Sequence, residues 1–296
     1  MVQRFWRVGA LFGTFALLAA ACGNGDSKEA KESKSKAQEQ APATSASAPQ
    51  MSGGGEAMMP LPPGAENMKV AITSPASGTK VTANAVTLKV AATGYDLTCD
   101  LAGKPEVSAS SGHYHVLIDK SLVNMYCTPE ATVSMQNVKP GTHTLAVVPA
   151  LNDHAEVMDN DQMVTIDYQP TNPMPEITDA TFPGKPSIKI MSPKPGETVK
   201  GAFDVVVEIT NFKPNCDLYG KPGVAGYGHW HVNADSMTGP MMGMGTMFGM
   251  SCSNVFHATT EGLKAGEKHS IIALLTDNGH APLGEAMSDD VDVTIG

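Results

Sequence analysis

The 296-residue sequence predicts an all-β protein, two tandem antiparallel β-sandwiches behind a disordered tether. Three observations carry that expectation. The chain repeats itself, its apolar residues alternate in short runs, and Gly, Pro, Asn and Asp punctuate those runs with no convincing amphipathic helix between them.

The duplication is the most direct of the three. ITSPASGTKV at 72–81 is answered by IMSPKPGETV at 190–199, CDLAGKP at 99–105 by CDLYGKP at 216–222, and GHYHVLID at 112–119 by GHWHVNAD at 228–235. Further on, VKPGTHTLAVVPALNDHAEV is answered by LKAGEKHSIIALLTDNGHAPL. The spacing between the copies lengthens between His231 and Cys252, so the second copy carries an insertion there. Each copy has about 100 residues, enough for one modest core. VTLKVAA, HYHVLID, HTLAVVPAL and MVTIDY alternate with the period of a strand. Seven or so short strands at this spacing predict a sandwich of immunoglobulin type. The expected domains are 69–168 and 188–296, joined by a proline-rich, semi-extended linker over 169–187.

Ahead of the repeats the chain begins MVQRFWRVGALFGTFALLAAACGNG, with Arg4 and Arg7 before an apolar run too short for a comfortable membrane span. That is the pattern of a secretory leader. Ala19, Ala20, Ala21 and Cys22 resemble a bacterial lipobox, although Ala19 stands where that motif prefers Leu. The resemblance implies a signal peptide over 1–21 and a diacylglycerol on the Cys22 thiol. From there to residue 68 the chain is mostly Ser, Ala, Lys, Glu, Gly and Pro, which cannot bury enough surface to offset chain entropy, so 22–68 reads as a tether. The expected location is extracytoplasmic, lipid-anchored to the bacterial cell envelope, with the membrane a partner through that anchor.

The other four cysteines, Cys99, Cys127, Cys216 and Cys252, are an even number in an exported chain and point to disulfides. Of the three possible pairings, the duplication favours Cys99 with Cys127 and Cys216 with Cys252. The net charge is −10, and the leader holds the only arginines. An acidic chain without basic clusters is not built to bind nucleic acid. No Gly-x-Ser-x-Gly elbow, phosphate loop or helical His-Glu-x-x-His occurs, so no enzymatic activity is expected.

All nine histidines lie in the repeats, and eight correspond across the duplication: His113 with His229, His115 with His231, His143 with His269, and His154 with His280. On a strand, residues two apart share a face. His113 and His115 therefore lie opposite Tyr114, Val116 and Ile118, and His229 and His231 lie opposite Trp230 and Val232. The aromatic and β-branched set is the better core face, so the imidazoles should point away from the core. Two imidazoles so placed can converge on an ion of the zinc or copper type, which wants a third or fourth donor. His154 and His280, in the loops LNDHAEV and DNGHAPL, are the candidates for that role; His143 reads as a solvent-facing strand residue. In the second copy the insertion, taken as a loop over 236–251, adds Met241, Met244 and Met247 among its methionines. Thioethers suit Cu(I), which favours copper over zinc.

The Gly-His-x-His strand, the later Pro-Gly-x-His-Thr-Leu and the Asn-Asp-His loop resemble a domain of exported bacterial proteins whose signature is a Gly-His-His-His strand. The resemblance covers most of each repeat and implies an exported all-β domain without an assigned activity. It departs at Tyr114 and Trp230, where that family often has a further His. A thinner likeness is to copper-zinc superoxide dismutase, whose zinc loop and catalytic arginine region are not recognisable here. The expected function is copper storage, buffering or delivery, with a metal donor or acceptor protein as partner. The competing expectation is a metal-free module presenting the histidine face to a protein or glycan.

Overall fold

The computed structural model describes residues 61–237 and 244–296. The leader, Cys22, nearly all of the tether, and Met241 lie outside the described residues.

In the first repeat, strands β1 (Lys69–Ser74), β2 (Thr79–Val81), β3 (Ala85–Thr93), β4 (Asp96–Leu97) and β5 (Ser111–Ile118) are followed by β6 (Ser121–Tyr126), β7 (Glu130–Ser134), β8 (Gly141–Ala150) and β9 (Gln162–Tyr168). The second repeat copies them. Its strands are β10 (Ser187–Ser192), β11 (Glu197–Val199), β12 (Ala202–Thr210), β13 (Lys213–Pro214), β14 (Tyr227–Ala234), β15 (Met247–Ser251), β16 (Val255–Thr259), β17 (Lys268–Thr276) and β18 (Ser288–Ile295). The only helices among the described residues are single 3₁₀ turns.

Each repeat is an immunoglobulin-like sandwich. A three-stranded sheet, β1-β3-β7, faces a larger one in which β2, β9, β8 and β5 lie side by side and β6 pairs with β5; β10-β12-β16 and β11-β18-β17-β14 with β15 repeat the plan. The pairing is antiparallel except at short edges, where β2 runs parallel to β9 and β4 to β5. Strand β3 alternates as the sequence predicts, with Val86, Leu88 and Val90 inward. Tyr114, Val116 and Ile118 join them in the first core, and Trp230 and Val232 hold the same place in the second. Disulfides join Cys99 to Cys127 and Cys216 to Cys252, each with Cα atoms 5.5 Å apart. They mark an oxidising, exported setting.

One expectation needs correction. The segment 236–251 is not loop throughout: Met247–Ser251 is strand β15, paired to β14 with Met250 opposite His231. Gly249 permits this, because a Cβ there would meet the Phe256 ring at 2.7 Å. The linker, expected to be semi-extended, is bonded to both repeats. Asn137 donates to the Ile177 carbonyl at 2.8 Å and accepts from its N–H at 2.9 Å, while Ala180 N–H donates to Ala225 O.

A one-sided sheet should leave alternate residues of β5 exposed, yet seven of its eight positions are buried. Strand β14 is the same. The reason is a third packing layer, because the large sheets of the two repeats meet each other. Leu122 of β6 and Met247 of β15 form a small buried cluster between the repeats, with Met125 and Met250 packed against it. The two glycines of the duplicated CDL-x-GKP segment let the backbones approach. A Cβ on Gly103 would lie 2.6 Å from the Met247 carbonyl, and one on Gly220 2.7 Å from the Leu122 carbonyl. Lys104 of the first repeat crosses to donate to Thr259 O at 2.7 Å, with its ammonium 3.3 Å from the Phe248 ring centre.

Candidate metal centres

Strand β5 supplies His113 and His115, and the turn after β8 supplies His154. In the second repeat, β14 supplies His229 and His231 and the turn after β17 supplies His280. Both turn histidines are held at positive φ, 63° for His154 and 69° for His280. That conformation is uncommon for a side-chain-bearing residue and costs on the order of 1 kcal/mol, so the fold holds these rings in place against a local preference.

The result is two clusters of three converging nitrogens. In the first, His113 Nε2 lies 3.1 Å from His115 Nε2 and 3.0 Å from His154 Nδ1, and the last two are 3.4 Å apart. The second gives 2.9, 2.9 and 3.5 Å for the corresponding contacts. Imidazole nitrogens bound about 2.0–2.1 Å from a tetrahedral ion stand about 3.3 Å from one another, so both clusters have the size of a metal site.

Proton accounting points the same way. His154 donates its Nε2–H to the carbonyl of Met247 at 2.8 Å, so its Nδ1 turns a lone pair to the centre. His115 gives its Nδ1–H to Glu156 Oε1 at 2.6 Å, which leaves a second lone pair on Nε2. The contact between these two is lone pair against lone pair. Only His113 has a proton to offer, and its Nδ1 is buried without a partner, as is that of His229. Hydrogen bonding alone leaves the cluster unbalanced, whereas one cation satisfies all three inward nitrogens. Either cluster can hold a metal ion.

The rings are also in the right ionisation state. Burial, then the neighbouring imidazoles, hold His113, His229 and His231 well below the ordinary histidine range. Burial pushes His154 down to about 3 and His280 to about 4. All five are neutral at pH 7, as metal ligands must be.

The sequence places the imidazoles off the sandwich core, which is where they lie, but a solvent-facing histidine patch does not exist. The six rings are at most 5 % exposed, because the opposite repeat covers them. His143 and His269 stay out of the clusters. They bond Asp119 and Asp235 at 2.6 and 2.7 Å, and each aspartate also accepts the next backbone N–H, so the pairs fasten β8 and β17 to the turns that follow β5 and β14. His143 is thus a bonded, largely buried residue rather than a solvent-facing one. Met247 meets the first cluster through its carbonyl, and Met244 opens the 3₁₀ turn before β15.

Several contributors escaped sequence reasoning. Glu156 follows His154 by two residues, and a carboxylate beside a loop histidine was the available signal. Leu122 accepts from His280 Nε2 at 2.9 Å through its backbone, which leaves no mark in a sequence. Met125 beside Cys127 and Met250 among the inserted methionines are, by contrast, legible by residue type, and each precedes its disulfide cysteine by two residues.

The two centres differ in their surroundings. Pro282 stands where the first repeat has Glu156, and Tyr219, in place of Ala102, sets its ring 4.5 Å from that of His229. A carboxylate on the outer nitrogen makes an imidazole a better donor. Glu156→Gln is therefore expected to weaken metal binding at the first centre by about 10- to 100-fold and leave the second unchanged, as read by competition titration with a chromophoric chelator.

No family model matches the chain, and no curated protein does. Solved structures similar to it include the fibronectin(III)-like modules of Clostridium thermocellum CbhA, at 14 % identity over 76 % of this chain and 93 % of that chain, TM-score 0.24. Three N-terminal domains of the bacteriophage RB49 outer capsid protein Hoc match at 13 % identity over 77 % and 69 %, TM-score 0.21. A Bacteroides ovatus protein, SGBP-B of a mixed-linkage glucan utilization locus, solved with a heptasaccharide, matches at 11 % over 76 % and 47 %, TM-score 0.22.

Proposed function

We propose that the protein is a non-enzymatic, lipid-anchored envelope protein that binds two transition-metal ions, most favourably copper, for storage, buffering or delivery. The observation that carries this is the convergence of three imidazole nitrogens at 2.9–3.5 Å in each repeat, with the protons of His115 and His154 directed outward. Imidazole accepts zinc as well as both copper states. Copper is favoured by the thioethers of Met125, Met247 and Met250 gathered between the repeats. The anchor rests on Cys22 and its lipobox-like context.

The reading is tested by titrating the metal-free full chain with Cu(I), Cu(II) and zinc. Two equivalents of copper should bind, falling to one in His113→Ala/His115→Ala and to one in His229→Ala/His231→Ala. Retention of two equivalents in both variants, or none in the parent, sinks it. Labelling with a radioactive fatty acid in a bacterial host should mark the parent chain and not Cys22→Ala.

A further inference from the structure

Six buried imidazoles leave open how an ion reaches them. A cleft of about 240 Å³ opens between the repeats, and its lining includes Met125, Met250, Asp100 and Lys104. Met125 pairs directly with His115 on the neighbouring strand, and Met250 pairs with His231. Directly opposed residues of paired strands project to the same face of a sheet, with Cβ atoms about 4.5–5.5 Å apart. Each thioether therefore lies on the histidine side of its sheet, beside a cluster, while also bordering the open cleft. Both methionines are only partly buried, unlike every histidine of the clusters.

The cleft holds charges of both signs, so the case for a soft ion rests on its two thioethers. Asp100 contributes a carboxylate, and the ammonium of Lys104 is turned to Thr259 O and the Phe248 ring. A thioether carries no charge, holds a soft monovalent ion and has little hold on a hard divalent one. An ion on Met125 needs only to exchange sulfur for the nitrogen of the residue paired with it, and Met250 stands in the same relation to the second cluster. No electron moves in that exchange.

We propose that Met125 and Met250 form a soft-metal access site in the cleft between the repeats, through which a monovalent ion of the Cu(I) or Ag(I) class passes to His115 and to His231. This rests on the reading of the clusters as metal centres and adds the route and its selectivity. Met247, buried beneath the cleft, belongs to the packing that holds the two thioethers in place.

The test is rapid-mixing loading of the metal-free full chain with Cu(I) and, separately, zinc, for the parent and for Met125→Leu, Met250→Leu and the double variant. Leucine keeps the apolar packing and removes the sulfur. The double variant should load Cu(I) at least tenfold more slowly, with unchanged final stoichiometry and unchanged zinc loading. Each single variant should slow one of the two equivalents. In the parent carrying ¹³C-methyl methionine, the first substoichiometric Ag(I) should shift the Met125 and Met250 signals before any histidine signal moves. Cu(I) loading at the parental rate in the double variant overturns the access site while leaving the clusters as metal centres. Equal slowing of zinc and Cu(I) overturns it too, since a packing defect would do that, and so do unmoved methionine signals. A parent that binds neither metal removes both readings together.

Discussion

Gly220→Ala is expected to loosen the second metal centre and cost the protein about 2–4 kcal/mol of stability. Two effects add. Gly220 sits at φ +67°, where any side chain carries a penalty of about 1–2 kcal/mol. Its new Cβ would also lie 2.7 Å from the Leu122 carbonyl oxygen and 3.1 Å from the carbonyl carbon, and backbone cannot swing aside as a flexible side chain can. Strand β6 must retreat, and with it the carbonyl that accepts from His280 Nε2. Without that acceptor the ring loses both its orientation and the tautomer that turns Nδ1 inward. Metal affinity at the second centre should fall by about 10- to 100-fold, the usual effect of losing an outer partner. Gly196→Ala is the control, since Gly196 has a similar φ of +77° with nothing within 4 Å of the added carbon. It should carry the conformational penalty alone and leave both centres unchanged. Urea melts and competition titrations of the two variants decide the matter, and equal behaviour would refute the interface account. Gly103→Ala should act in mirror fashion, moving Met247 and weakening the first centre.

The second large effect is acid destabilisation of the metal-free protein. Burial lowers His154 to about 3 and His280 to about 4, against about 6.5 in an unfolded chain. Between those values the unfolded state binds more protons than the folded one, so stability is complete above pH 6.5 and declines as pH falls through the folded values. At pH 5 each of the two residues should account for about 2 kcal/mol relative to neutral pH, at 1.36 kcal/mol per unit. His113, His229 and His231 shift in the same direction. Bound metal should raise the unfolding midpoint at neutral pH, as any ligand of the folded state does, and should be released as the ligands protonate. Denaturant melts from pH 7.5 to 4.5, with and without copper, measure both curves. A metal-free protein equally stable at pH 7.5 and pH 5 contradicts the burial of the clusters.

Much of the fold is legible in the amino-acid sequence, and for identifiable reasons. The duplication located the repeats, the two-residue period placed Tyr114 and Trp230 in the cores, and repetition chose the disulfides. The same period put His113 and His115 on one face. It could not say what covered that face, because alternation describes a strand and its own sheet, whereas the covering layer comes from the other repeat. Burial of the imidazoles was therefore invisible in the local pattern. The site was half legible for a related reason: imidazoles and thioethers announce themselves by residue type, while the carbonyls of Leu122 and Met247 belong to no residue type at all. Gly103 and Gly220 lie in the duplicated CDL-x-GKP segment, but their purpose depends on the opposing backbone, which the local sequence does not contain.

The contacts between the repeats come in exchanged pairs. His154 bonds the carbonyl of Met247 and His280 that of Leu122; Gly103 faces Met247 and Gly220 faces Leu122. That is the self-complementary pattern of a twofold dimer, written into a single polypeptide. Two separate chains would meet only at concentrations set by their affinity. A short connection between halves instead gives each an effective local concentration in about the millimolar range, whatever the amount of protein present. Both triads therefore assemble even when the protein is scarce, and dilution that would part a dimer leaves them whole.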